Sequence, residues 1–184
     1  TLEYNARPTK ENPSALAKLH VKKIPQDYAE RAVLVGVKRP NQQWPTESSL
    51  AELERLAQTA GAEVVATTFQ RLESPNPRTF IGSGKVDEVA QLCRSYAADL
   101  VIFDDELTPS QQSNLEKQVG KDIKIIDRTA LILDIFALHA TSREGRLQVR
   151  LAQNEYLLPR LRGMWAHLAS NRMGGGVGSR FGEG

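Results

Sequence analysis

The chain has 184 residues and a formal net charge of +2, with 40% hydrophobic and 25% charged residues. That composition is ordinary for a globular protein and excludes collagen-like, mucin-like and mostly disordered classes. No apolar run approaches the roughly 20 residues of a membrane helix. A single cysteine, Cys93, rules out an internal disulfide framework and a multi-cysteine zinc site, and His20, His139 and His167 lie too far apart for a histidine-rich metal site.

The first residues, Thr1-Leu2-Glu3-Tyr4, show no basic-then-apolar leader pattern, so the cytoplasm is the expected compartment. Residues 1–30 mix charges with Pro8, Pro13 and Pro25 and read as a loosely ordered arm. Ala32 to Val37 is a short, nearly continuous apolar run, the signature of a strand buried on both faces. Glu47 to Ala60 reads as a helix with Leu50, Leu53, Leu56 and Ala57 on one side and Gly61 as its stop. Strand Val64–Phe69, helix Lys85–Ala97, strand Leu100–Phe103, helix Thr108–Val119 and strand Ile123–Ile126 follow. Strands alternating with helices in this way define an α/β fold with a small, mostly parallel sheet over 31–127, its strand order open.

From Asp127, a helix cap, the texture changes to a long-helix, coiled-coil-like subdomain over 128–172. A seam of 3–4 spacing runs from Ala130 through Leu133, Ala137, Leu147, Leu151 and Leu158 to Leu168, describing one helix or two nearly collinear ones. Thr141-Ser142-Arg143-Glu144 resembles a capping box, allowing a break near 141, and Pro159 is expected to kink or break the helix. Residues 173–184 form a glycine-rich tip with no second amphipathic helix after it. The distal seam therefore expects a partner: a helix beyond Gly184, or a second copy in a homodimer.

Several motifs resemble known chemistry only in part. Gly82-Ser83-Gly84-Lys85 lacks two of the four fixed positions of a phosphate-cradling loop, because Thr79 and Val86 stand where Gly and Ser/Thr are needed. Gly82 and Gly84 are therefore expected to make a sharp turn into the next helix, with Gly82, Gly84 and Lys85 as weak candidates for an anion or nucleotide. Asp104-Asp105-Glu106 follows a strand at the sheet edge where α/β domains place ligands; it is read as a loop, with magnesium the rival reading. Cys93 falls on the apolar stripe Val86, Val89, Cys93 and reads as core. No catalytic constellation emerges.

Charge is distributed unevenly. Residues 1–127 hold 16 Lys and Arg against 18 Asp and Glu, whereas 128–184 hold eight basic residues, all arginine, against four acidic ones. Arginine forks bind phosphate bidentately and stack on bases. The candidate RNA-binding set is Arg143, Arg146, Arg150, Arg160, Arg162, His167, Asn171, Arg172 and Arg180. Trp165, on the seam, reads as packing.

Glu30-Arg31-Ala32-Val33-Leu34-Val35-Gly36-Val37, Gly82-Ser83-Gly84-Lys85, Asp105-Glu106-Leu107-Thr108-Pro109-Ser110-Gln111-Gln112, the run Ile126 to Phe136, Leu147-Gln148-Val149-Arg150-Leu151-Ala152-Gln153, Tyr156-Leu157-Leu158-Pro159-Arg160-Leu161 and Gly174-Gly175-Gly176 resemble the amino-terminal domain of HflX-type GTPases. The resemblance covers about residues 30–184 in order. At the tip it departs, since Phe181 follows Arg180 where the family usually reads Arg-Gly-Pro-Gly-Glu. It implies an α/β subdomain, two long antiparallel helices and a separate G domain, with the second long helix and the G domain after Gly184. GTP, magnesium and hydrolysis would belong to that further part, with no cofactor in these residues. It also implies binding to the large ribosomal subunit and its 23S-type rRNA, and a role in splitting or rescuing stalled ribosomes under stress.

Overall fold

The computed structural model describes residues 29–40 and 42–173, with side chains as far as 161. Residues 1–28 of the arm expected over 1–30, and 174–184 of the tip expected over 173–184, lie outside the described residues. Four strands form one parallel sheet: β1 (Arg31–Lys38), β2 (Glu63–Arg71), β3 (Leu100–Phe103) and β4 (Lys124–Asp127), in the order β2-β1-β3-β4. Among the described residues five helices accompany it: α1 (Thr46–Thr59), α2 (Ser83–Ser95), α3 (Pro109–Val119), α4 (Arg128–His139) and α5 (Arg143–Met173). The α/β fold read from the alternation of elements is thus the one observed.

The continuous apolar run of β1 is central in the sheet, pairing Ala32–Val35 with Leu100–Phe103 on one side and Arg31–Lys38 with Glu63–Arg71 on the other. Its alternate residues feed two cores. Val33, Val35 and Val37 face Val86 and Val89 of α2 and Leu115 of α3, with Phe80 set edge-on to Phe103 at 6.2 Å. Ala32 and Leu34 face Leu50, Leu53 and Ala57 of α1. Leu131 of α4 joins this second core, so α4 packs as part of the α/β body rather than opening a separate subdomain. Gly61, the expected stop of α1, has φ of +90°, a left-handed turn open to glycine at little cost. Thr108 and Gln111 close a capping box on α3, each side chain accepting from the other's backbone N–H.

The seam from Ala130 to Leu168 is not collinear. The chain leaves α4 at Ala140, and Ser142 starts α5 by accepting from the Gly145 backbone N–H at 3.0 Å, so the cap is Ser142 and not Thr141. α5 then folds back along α4 toward the sheet, bringing Tyr156 beside Asp127 at the start of α4. The two helices form a hairpin because the three-residue connection leaves antiparallel packing as the short route. Pro159 does not break α5, which runs through it. Its ring lies on the exposed side, where water can take the carbonyl freed at Glu155 and no packed neighbour resists it.

Candidate nucleic-acid interface and its anchor

α5 is held to the body by one buried carboxylate. Asp127, fully buried, ends β4 and caps α4 by accepting from the Ala130 N–H at 2.9 Å on Oδ1. The same oxygen accepts from the Tyr156 hydroxyl at 2.9 Å, while Oδ2 accepts from the Leu107 N–H at 3.0 Å and faces Arg160 Nη2 at 3.4 Å. Four donors therefore converge on one charge, which is how a carboxylate survives burial. Burial first, and then the Asp127 carboxylate, push the Tyr156 hydroxyl well above the usual phenol range, so it stays protonated as a donor.

Arg160 closes this cluster. Its guanidinium stacks 3.5 Å from the Tyr156 ring centroid, and Nε donates to Gln112 Oε1 at 2.9 Å. Nη1 donates to the Tyr156 carbonyl at 2.8 Å and Nη2 to the Leu107 carbonyl at 2.6 Å. With its side chain only 12% exposed, Arg160 faces the body and not a partner, unlike its place in the expected RNA-binding set. The planar fork suits this role because it satisfies several fixed acceptors at once.

The carboxyl edge between β1 and β3, where the strand order reverses, is the place an α/β sheet offers a ligand. Here it is closed by ion pairs. Arg128 donates to Asp104 Oδ1 and to the Ser49 carbonyl, and Arg39 Nη2 donates to Asp105 Oδ1 at 2.8 Å. Burial raises the Asp105 pKa, against the pull of Arg39. Among the described residues no group of three or more His, Cys, Asp or Glu side chains is placed to hold a metal ion.

Gly82 precedes α2 as the expected sharp turn, its N–H donating to Gln70 Oε1 at 2.9 Å. Gly84 lies in the first turn of that helix. The Lys85 ammonium donates to Thr68 Oγ1 at 3.2 Å and pairs with Glu88 at 2.7 Å, so it is turned to β2 and not to an open phosphate site. Cys93 is core, and burial pushes its thiol up to about 11.

The other arginines differ from Arg160. Arg143, Arg146 and Arg150, spaced by three and four along α5, are all exposed, and Arg146 spends one N–H on the Thr141 carbonyl. The backbone of α5 continues to Met173 and carries Arg162, His167, Asn171 and Arg172, whose side chains lie outside the described residues, as does Arg180. Leu147, Leu151 and Leu158 form an apolar ridge on the same helix, 56%, 59% and 53% exposed.

Fold and site together define a class: a parallel α/β module, closed at its carboxyl edge by its own ion pairs, that projects an arginine-bearing helix from a buried anchor. The family described as GTP-binding GTPase N-terminal matches residues 47–137, and that described as GTP-binding GTPase middle region matches 139–184. The two regions meet at the end of α4, beside the hairpin turn. The GTPase HflX of Alkalihalophilus pseudofirmus is 51% identical over 157 residues, covering 85% of this chain and 36% of that protein. The GTPase HflX of Escherichia coli is 40% identical over 154 residues, covering 84% and 35%. A GTP-binding protein from Sulfolobus solfataricus, solved in complex with GDP, shares the fold at a TM-score of 0.56 and 24% identity, over 78% of this chain and 42% of its own. The chain belongs to the HflX family of GTPases, over that family's N-terminal and middle regions. It spans little more than a third of the curated relatives it matches.

Proposed function

We propose that this chain is the part of an HflX-type GTPase that binds the large ribosomal subunit through its 23S-type rRNA, and that it is not catalytic by itself. The carrying observation is the contrast on α5 between one arginine turned inward as a largely buried anchor and three, Arg143, Arg146 and Arg150, left exposed on the helix it anchors. Exposed guanidinium groups on a fixed helix supply phosphate contacts at set spacing, and mobile counterions are released as they form. The contact set is Arg143, Arg146, Arg150, Arg162, His167, Asn171, Arg172 and Arg180, without Arg160. GTP binding and hydrolysis with magnesium, and the splitting or rescue of stalled ribosomes under stress in the cytoplasm, belong in this reading to the intact protein.

The apolar ridge of Leu147, Leu151 and Leu158 supports a second element of the reading. It suits the helix that the family resemblance puts after Gly184, and in the isolated chain a second copy. Light scattering at micromolar concentration tests self-pairing, and a monomer throughout the range rejects it.

The deciding experiment is sedimentation of the chain with purified large and small ribosomal subunits across a salt series. Selective pelleting with the large subunit, weakening steeply with salt, is expected. Equal pelleting with both subunits, or none with either, rejects the reading for these residues.

A further inference from the structure

A second feature of the fold has no part in that reading. Between the amino edge of the sheet and the α4–α5 hairpin lies a cleft of about 530 Å³. Its walls are apolar: Leu100 and Ile126 from the sheet, Leu133 and Leu138 from α4, and Leu157 and Leu161 from α5. Leu138 is 67% exposed. Acids also line it: Glu30, Asp134 and Glu116 outnumber the two cations there, Lys124, which pairs with Glu30 at 2.7 Å, and Arg160, which faces Asp127. An apolar trough with an acidic lining suits an apolar segment that carries cations.

The chain supplies one at the right place. Glu30, the residue that leads into β1, itself lines the cleft, so everything before it is tethered there. Residues 13–24 read Pro-Ser-Ala-Leu-Ala-Lys-Leu-His-Val-Lys-Lys-Ile, with Leu16, Leu19, Val21 and Ile24 beside Lys18, Lys22 and Lys23, and no acid. Five residues separate Ile24 from Glu30, six Cα steps that extended reach about 20 Å, enough to enter the cleft from its mouth. Tethering at that distance raises the local concentration to roughly millimolar, so weak contacts suffice.

We propose that the segment Pro13–Ile24 of this same chain docks in the cleft between the sheet edge and the α4–α5 hairpin, its apolar residues on Leu133, Leu138 and Leu157 and its lysines on Glu30, Asp134 and Glu116. The docked segment covers the apolar trough and ties the arm to the hairpin that carries the exposed arginines.

A spin label on Leu19→Cys, in a Cys93→Ala background, tests this in the whole 184-residue chain by nuclear magnetic resonance. Docking broadens the amide signals of 133–138 and 157–161 far more than those of the outer face of α1, and Lys18, Lys22 and Lys23 changed together to Glu remove that contrast. Equal broadening of both regions, or none, overturns the proposal. So does the same pattern in a mixture of isotope-labelled chain and separate spin-labelled chain, which would make a second copy the occupant. If the Cys93→Ala background alone disturbs the spectrum, Cys93→Ser serves as the second background.

Discussion

Tyr156 and Asp127, 29 residues apart, meet through a hydroxyl–carboxylate hydrogen bond of 2.9 Å that ties the middle of α5 to the N-cap of α4. This one contact shows that the helical region is a hairpin braced on the sheet. Tyr156→Phe removes only the hydroxyl and keeps the ring beneath Arg160, so a loss of about 1–2 kcal/mol is expected. Asp127→Ala strands Tyr156, Arg160 and two backbone N–H groups, and about 3–5 kcal/mol is expected. Urea unfolding of both variants measures the difference, and similar losses would contradict the convergence of donors on Asp127.

Arginines on α5 should separate into two kinds. Arg160→Ala is expected to cost about 2–4 kcal/mol of stability, because it empties a stacked, buried fork and leaves the Asp127 charge less satisfied. Arg143→Ala and Arg150→Ala, at exposed positions, should stay within about 0.5 kcal/mol. Under the proposed function these last two instead lower the salt slope of ribosome binding, by roughly one unit per lost phosphate contact. Thermal unfolding and the salt series together check the pattern, which fails if Arg160→Ala folds as stably as Arg150→Ala.

Alkali should weaken the fold in a defined window. Burial pushes the Cys93 thiol up to about 11, whereas an unfolded thiol ionises near 8.5. The folded state therefore holds the proton more tightly, and the contribution is complete below about pH 8.5 and lost as pH rises through about 11. Tyr156 shifts in the same direction, mainly through burial and then Asp127. Cys93→Ala should flatten the fall in stability between about pH 9 and 11 by roughly 1–2 kcal/mol, leaving a residue that Tyr156→Phe reduces. Denaturant midpoints at pH 8, 9.5 and 10.5 report this, and an unchanged slope in Cys93→Ala would remove the thiol from the account.

Gly36 lies in the middle of β1, and a Cβ there would meet the Leu50 side chain at 3.1–3.3 Å. Leu50 is held in the core by α1, so Gly36→Ala should cost about 1–3 kcal/mol through crowding. Pairing it with Leu50→Ala should recover part of that loss, and a double variant with no recovery would place the strain elsewhere.

Most of the α/β body was legible in the residues. The nearly continuous apolar run Ala32–Val37 points to a strand covered on both faces, and Asp127 to a helix start; both are observed. The hairpin was not legible, because a cap such as Ser142 marks where a helix begins and says nothing of its direction. Nor did composition separate Arg160 from its neighbours. Arg143, Arg150 and Arg160 share a side chain, and only the position of Gln112, Leu107 and Tyr156 turns one of them inward. Tyr156 carried a faint signal as an aromatic four residues before an arginine on one helix, the spacing at which the two stack.

The sequence by itself determined the order of the elements and the unequal placement of charge, because hydrophobic period, caps and counts are local properties. Tertiary structure alone decided the strand order, the return of α5 onto α4 and the fate of each ionic group. Those depend on which distant residues meet: Arg128 and Arg39 close the sheet edge on Asp104 and Asp105, and Asp127 gathers Leu107 from the loop before α3 and Tyr156 and Arg160 from α5. A buried charge demands partners of some kind, but only the folded chain fixes which ones arrive.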